Sequence, residues 1–441
     1  MGVVACSNVI TRSPSFDGNT STMLANTSDS VTLPDVTVDI PPGDGSPDGY
    51  GIRRFYAYQL VTETQFTGGI WILNLNSRGF SLGEIGLSES FFHLAPVLLE
   101  IPSGSFADLF GRRWSLAIGS LLIALSSALI FVADSLPLVL LAMFLNGASY
   151  TFRSGANQAY LYDSLGEQQS GYAGILGKLL GASYIIAGAT TWIGAALSDI
   201  SWGWPYGLAV GVGLGGAWLA AGLAEPKVDR RGEHGSRSPL RHIRDVATAL
   251  RERPQVAIML LYSAGFWTAS TVVFLYLQAA FSDRGLSNST VGLVLGSAFA
   301  FNALGAAFAG RVERRGKFST QLVVMGLLTG VLIAGTALDP IWLAVLAYLL
   351  SNAVTGLFEP LLFTWFNQQL PSAQRATLLS LDSWLFSVFM IVVFPLAGWL
   401  ADNHGWGLMI VLAGCVKIVL TLLVVVGLRL RGRGGVAVHA P

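Results

Sequence analysis

Glu63, Arg153, Glu359 and Asp382 each stand inside a long apolar stretch of the chain. An ionisable side chain at the centre of a bilayer costs about 2.5–3.5 kcal/mol on insertion scales, so each is a candidate for binding or proton exchange. Gln59, Glu63 and Phe66 share a helical face, with Thr62 beside it. Glu63 is suited to hold a proton or a cationic group of a ligand, or to make a structural hydrogen bond to a neighbouring helix. Pro360 directly after Glu359 removes one helix hydrogen bond and supplies a local bend. Asp382, near the start of its stretch, suits a structural or a pathway role. Asn157, Gln158, Trp267, Asn302 and Asn352 are candidates for a pocket wall. His93 reads as a packing residue, Lys178 can snorkel to the surface, and Lys417 reads as scaffold.

None of these forms a catalytic or metal-binding set. Cys6 and Cys415 are too few for a disulfide framework or a Cys-rich zinc site. Gly211-Val212-Gly213-Leu214-Gly215-Gly216 matches G-x-G-x-x-G, but lies inside an apolar stretch rather than after a strand, so it reads as a small-residue packing face. There is no Walker A loop, no H-E-x-x-H and no G-x-S-x-G. An enzyme is not expected, nor a cofactor or metal.

The elements that must position these residues follow from composition. The chain has 441 residues, 52% hydrophobic and 12% charged, where a soluble domain carries about 25% charged residues. Basic and acidic residues balance at 26 each, so no excess recruits nucleic acid. Apolar stretches able to cross a ~30 Å hydrocarbon layer as helices recur at 55–75, 85–107, 114–133, 138–162, 173–198 and 204–224. They resume at 255–281, 290–309, 319–338, 341–366, 377–400 and 405–428. The expected fold is an all-α membrane protein of twelve transmembrane helices with the bilayer as its partner. Residues 1–50 are expected to be a disordered tail, 51–224 and 255–430 two six-helix bundles, and 431–441 a second tail. In the linker 225–254, Ser238-Pro239 reads as a helix start before an amphipathic helix with Arg241, Arg244, Arg251 and Arg253.

An even number of spans puts both termini on one side. Arg53, Arg54, Arg112, Arg113, the basic linker, Arg311, Arg314, Arg315, Lys317, Arg375 and Arg429–Arg433 fall on that side, against Arg78 and Arg284 on the other. Cationic loops are retained inside, so both termini are expected in the cytoplasm and the protein in the cell membrane.

The two halves repeat. Arg78-Gly79-Phe80-Ser81 recurs as Arg284-Gly285-Leu286-Ser287, Asp108–Arg112 as Glu313–Lys317, and Asp199 with Trp202 as Asp402 with Trp406. Arg153 and Glu359 fall at equivalent places in the two halves. Such duplication is typical of secondary transporters, which rock one half against the other about a midplane site.

The loop Gly104-Ser105-Phe106-Ala107-Asp108-Leu109-Phe110-Gly111-Arg112-Arg113 resembles the major facilitator superfamily signature G-x-x-x-D-R-x-G-R-R, with Leu109 in place of the first arginine. The echo Glu313-Arg314-Arg315-Gly316-Lys317 keeps that arginine as Arg314. Glu100–Ser103, Ser154–Ala156 and Tyr162–Ser164 are similar to a prokaryotic permease-like branch. Gly104 permits close helix approach and Gly111 a tight reversal, while Asp108 can accept from Arg112 or Arg113. The resemblance implies that this cluster, with Asp163 as a further partner, locks the outward-open state; the alternative is a purely topogenic charge cluster. It also implies that Arg153 and Glu359 pair across the halves in outward-facing states, the alternative being that each pairs within its own half. Met143 stands where proton-driven drug antiporters of the superfamily carry an arginine, and their Gly-Pro signature is missing from Gly188–Gly194. The expectation is a monomeric, proton-coupled secondary transporter of a small solute, with export of an amphipathic or hydrophobic compound preferred on account of Trp267, Trp365 and Trp384. Uptake of a polar metabolite, or a transporter-like sensor without flux, are the alternatives.

Overall fold

The computed structural model describes residues 47–164, 172–225, 251, 253–369 and 372–432. The expected tail over 1–46, most of the expected amphipathic linker helix and the end of the chain lie outside the described residues.

Thirteen helices are described. In the first half these are α1 (Pro47–Thr62), α2 (Trp71–Ser77), α3 (Leu82–Phe110), α4 (Arg112–Val132), α5 (Leu136–Ser164), α6 (Tyr172–Ser198) and α7 (Gly203–Ala221). In the second they are α8 (Pro254–Asp283), α9 (Asn288–Glu313), α10 (Phe318–Gly335), α11 (Ile341–Gln369), α12 (Ser372–His404) and α13 (Trp406–Gly432). Eight of these, α4, α6 and α8–α13, are long and apolar enough to span a membrane by those criteria alone. The acids of α3, the polar second half of α5 and the glycines of α7 lower their hydropathy. The first span differs from the expected continuous helix: it is broken between Thr62 and Trp71, and α1 with α2 makes one crossing. With α1 and α2 taken together, the thirteen described helices correspond one to one with the twelve apolar stretches of the sequence.

The two halves pack on one plan. α3 packs on α5, and α4 on α5 and α7; in the same way α9 packs on α11, and α10 on α11 and α13. Between the halves, α3 lies along α12 and α6 along α9, two seams related by the duplication.

The repeated Arg-Gly-x-Ser segments explain themselves locally. Gly79 and Gly285 turn the chain at φ 91° and 89°, in the left-handed region that side chains with a Cβ avoid. Ser81 then caps α3 by accepting from the Glu84 amide, and Ser287 caps α9 by accepting from the Thr290 amide. Arg78 donates to Ile130 O and Phe131 O at 3.0 Å each, and to Ala133 O, at the end of α4. Arg284 donates to Ala337 O at 2.8 Å beyond α10, and its guanidinium lies 4.3 Å from the centre of the Trp406 ring. These two arginines, the exceptions to the charge asymmetry, satisfy carbonyls at the negative ends of equivalent helices.

Candidate functional site

α1 ends where Thr64-Gln65-Phe66-Thr67-Gly68-Gly69 begins, a run poor in helix formers. Unwound backbone at membrane depth must find partners elsewhere. Thr190 Oγ1 of α6 accepts from the Gln65 amide at 2.8 Å. Gln278 of α8 donates to Gly68 O at 3.0 Å and accepts from the Ile72 amide at 3.3 Å. Side chains from both halves therefore hold the break open.

Beside it lies a cavity of about 190 Å³, walled by the break, α3, α4, α5 and α7, with Phe274 and Leu275 of α8 closing it from the second half. Glu63 stands at the break, 8% exposed, and accepts from Gln59 Nε2 at 2.8 Å, the partner the helical spacing predicts. Arg153 reaches it from α5: the guanidinium donates to Thr62 O at 3.3 Å and its charge acts on Glu63. Asn146 and Asn157 complete the polar wall, and Asn157 Oδ1 has no hydrogen-bond partner among the described residues. Phe66, Trp71 and Phe92 supply apolar surface. The structure thus brings together Glu63, Arg153 and Asn157 of the expected residues.

Other candidates lie elsewhere. Glu359 is 9% exposed on α11 and does not line the cavity, nor does Asp382, which lies against Ser263 of α8. Trp267 packs in the core of the second half, edge-on to Phe266 at 5.4 Å. Trp365 stacks on Phe318 and Trp384 is 41% exposed, so the three tryptophans that favoured a hydrophobic cargo do not form this wall. Lys417 is fully buried, donating to Ser270 Oγ at 2.5 Å with its ammonium 3.5 Å from the centre of the Phe266 ring. Glu89 of α3, absent from the expected set, lines the cavity; the signal that could have found it is the one applied to Glu63, an acid inside an apolar stretch, here 85–107, with His93 one turn later.

At the α3–α4 loop, Gly111 reverses the chain at φ 100°. Arg112 pairs with Asp163, both largely buried, and Arg113 lies over the Trp114 ring at 5.2 Å. Asp108 is exposed. Glu225, beyond α7, accepts from the Arg112 and Arg113 amides at 2.8 and 3.2 Å, placing a carboxylate on the positive start of α4. Glu225→Ala is expected to lower stability by about 1 kcal/mol, the usual worth of a cap. Thermal unfolding in detergent checks this; an unchanged melting temperature would show that the carboxylate does not cap α4. In the second loop, Glu313, Arg314, Gly316 and Lys317 are exposed, and Gln321 ties the turn together by donating to Val312 O and Gly316 O.

Among the described residues, the seams are closed by polar contacts at one end. At the face opposite the arginine-rich loops, hereafter the far face, Asp402 accepts from the Leu82 and Gly83 amides at 3.0 and 2.7 Å. Its repeat partner Asp199 accepts from the Asn288 and Ser289 amides at 3.2 and 3.0 Å. Each seam thus has a carboxylate of one half on the helix start of the other. Tyr276 donates to Leu82 O and Phe394 O at 3.0 and 3.1 Å, tying α8 to both helices of one seam. A Cβ on Gly86 would come within 2.7 Å of Phe394 O, and one on Gly188 within 2.8 Å of Gly296 O, so glycine permits this approach. Further along the same helices, Gly104 on α3, and Gly177 and Gly181 on α6, have no described residue within 4 Å of a would-be Cβ. The close approach expected at Gly104 is not made in this arrangement. Among the described residues the halves are tied together at the far face, and these glycines nearer the arginine-rich face meet no neighbour.

A duplicated body of long apolar helices, its halves tied together at one face beside a polar cavity, fits an alternating-access transporter. A model of the Major Facilitator Superfamily matches residues 60–326 and 269–438, and the chain belongs to that superfamily of non-enzymatic secondary transporters. It is 24% identical over 352 residues to the uncharacterized MFS-type transporter YxaM of Bacillus subtilis (strain 168), covering 78% of this chain and 86% of that one. Among solved structures, it resembles the nucleoside transporter NupG, with TM-score 0.67 and 14% identity over 85% of this chain and 97% of that one. It also resembles a bacterial homologue of the human lysosomal transporter Spinster in an inward-facing, unoccupied conformation, with TM-score 0.70 and 15% identity over 87% and 98%. A D-xylose–proton symporter matches at TM-score 0.63 and 15% identity over 84% and 94%.

Proposed function

We propose that the chain carries a small polar solute across the cell membrane, coupled to a proton, with both termini and the arginine-rich loops in the cytoplasm. The observation that carries this reading is the cavity in which Glu63, Arg153 and Asn157 converge on an unwound first span. Broken helices at midplane are where transporters of this kind place substrate and coupling-ion sites. The carboxyl of Glu63 is the candidate proton carrier, and Arg153 the group that responds to its charge. On this reading the present arrangement is inward-facing. When the cytoplasmic side closes, α5 and α11 approach and Arg153 exchanges Thr62 and Glu63 for Glu359 of the other half.

A second reading is export of an amphipathic compound, favoured by Phe66, Trp71, Phe92 and Phe274 in the same wall. One experiment separates the two. A thermal-shift screen of the purified protein identifies binders, and flux of each hit is then followed in proteoliposomes under an imposed pH gradient. Gradient-driven movement of a polar hit supports the first reading, and counter-movement of an amphipathic one the second. Binding without flux contradicts both and marks a sensor.

A further inference from the structure

We propose that Glu89 and His93 of α3 form a proton-binding site whose occupancy is linked to the α3–α12 seam. This rests on the proton-coupled reading above and adds to Glu63 a second titratable site at the moving interface.

Glu89 is fully buried, and neither carboxyl oxygen has a hydrogen-bond partner among the described residues, yet the side chain is part of the cavity wall. His93 follows one helical turn later, 4% exposed, with Nε2 3.6 Å from Glu89 Oε1. On its other side, His93 Nδ1 stands 3.3 Å from Ser387 Oγ of α12. Ser90 of the same turn donates to Ile391 O across the seam at 2.8 Å. The pair therefore touches both the cavity and the α3–α12 seam, on the helix that further along carries Gly104, where no described neighbour lies within 4 Å of a would-be Cβ.

A buried carboxylate with no donor is costly to hold unless it is neutral or stands beside a cation. The pair meets the first condition with one proton, as a carboxylic acid beside a neutral imidazole, which buries no charge where carboxylate and imidazolium would bury two. Releasing that proton leaves a bare negative charge in the wall.

The surrounding groups do not discharge that cost. From α8, Tyr276 faces Glu89 but spends its hydrogen on carbonyl oxygens, and Asp402 beyond it is itself acidic. From α5, Arg153 shares the cavity and is engaged at Thr62 O, while Glu63 at the break is a second acid. α12 offers the Ser387 hydroxyl. A seam that swings away from His93 removes Ser387 from its ring, so proton occupancy and seam geometry are coupled in both directions.

Infrared difference spectra of the full-length protein in lipid, recorded between acid and alkaline buffer, read protonated carboxyl groups directly through their C=O stretch. Glu89→Gln is expected to lose one carboxyl component, and His93→Gln to keep that component with a displaced titration midpoint. Should Glu89→Gln fail to fold, the midpoint in His93→Gln carries the test. A titrating band unchanged in both variants overturns the assignment, and the proton-coupled reading then stands or falls on wild-type flux alone. Wild-type flux blind to an imposed pH gradient, with the Glu89 component present, overturns the coupling reading and the transport role of the pair together.

Discussion

Glu63→Gln is expected to cut gradient-driven flux at least about tenfold while leaving the fold intact. Glutamine matches the volume of glutamate and keeps an oxygen to accept from Gln59, which donates to the present carboxyl at 2.8 Å. What it removes is the negative charge that acts on Arg153 and the ability to exchange a proton. A hydrogen bond or contact involving a charged group is worth about 1.5–3 kcal/mol, which corresponds to roughly 10- to 150-fold in an equilibrium or rate that depends on it. Arg153→Gln is expected to lower flux as well, through loss of the cation at the same wall. The double variant should then fall well short of the product of the two losses, because the residues share one interaction. Flux in proteoliposomes checks all three. A Glu63→Gln protein moving solute under a pH gradient within about twofold of wild type would remove Glu63 from the pathway.

The second large effect is expected at the far face. Asp199→Asn and Asp402→Asn each withdraw a carboxylate from the positive start of a helix in the other half. Both sites are exposed, so each charge is worth about 1 kcal/mol rather than the larger value of a buried pair. They lie on separate seams with no shared partner, so the effects should add to about 2 kcal/mol, or roughly 30-fold in the ratio of closed to open far face. The readout is modification of a cysteine placed at Ser90, a residue 5% exposed at the α3–α12 seam, with Cys6 and Cys415 replaced by serine. A membrane-impermeant thiol reagent added from the far face should react faster in the double variant by about that factor. Equal rates would show that the twin carboxylates do not hold the seams.

Much of the architecture was legible because lipid leaves few choices. Apolar stretches mark the spans, and the recurrence of Arg-Gly-x-Ser predicted two halves of one plan; each copy proves to be a turn, a cap and an arginine on the end of a neighbouring helix. Glu63 with Gln59 was legible too, since spacing of four along a helix sets that contact. The break after Thr62 was not. Its polar, glycine-ended run is only a poor helix in sequence, and what fixes the unwinding is Thr190 and Gln278, distant in the chain. Glu89 escaped for a related reason. An acid flanked by Ser88 and Ser90 in an otherwise apolar stretch gives no sign of whether it faces lipid, a partner or a cavity until α12 and α8 are in place. Asp199 and Asp402 were visible as a repeat, but their role requires the helix start of the opposite half. The tryptophans illustrate the converse: their side chains suggested an apolar pocket, and packing spent Trp267 and Trp365 on the second half's own core.

The rocking of the two halves is tested most directly by paired distance measurements on spin-labelled protein in lipid. One pair joins the exposed Leu109→Cys and Lys317→Cys on the arginine-rich face, the other the exposed Asn76→Cys and Leu338→Cys on the far face. As pH is changed, or a hit from the binding screen is added, the first distance should shorten as the second lengthens. Distances that stay fixed under every condition, or that change in the same direction on both faces, would contradict a transporter built to open alternately on its two sides.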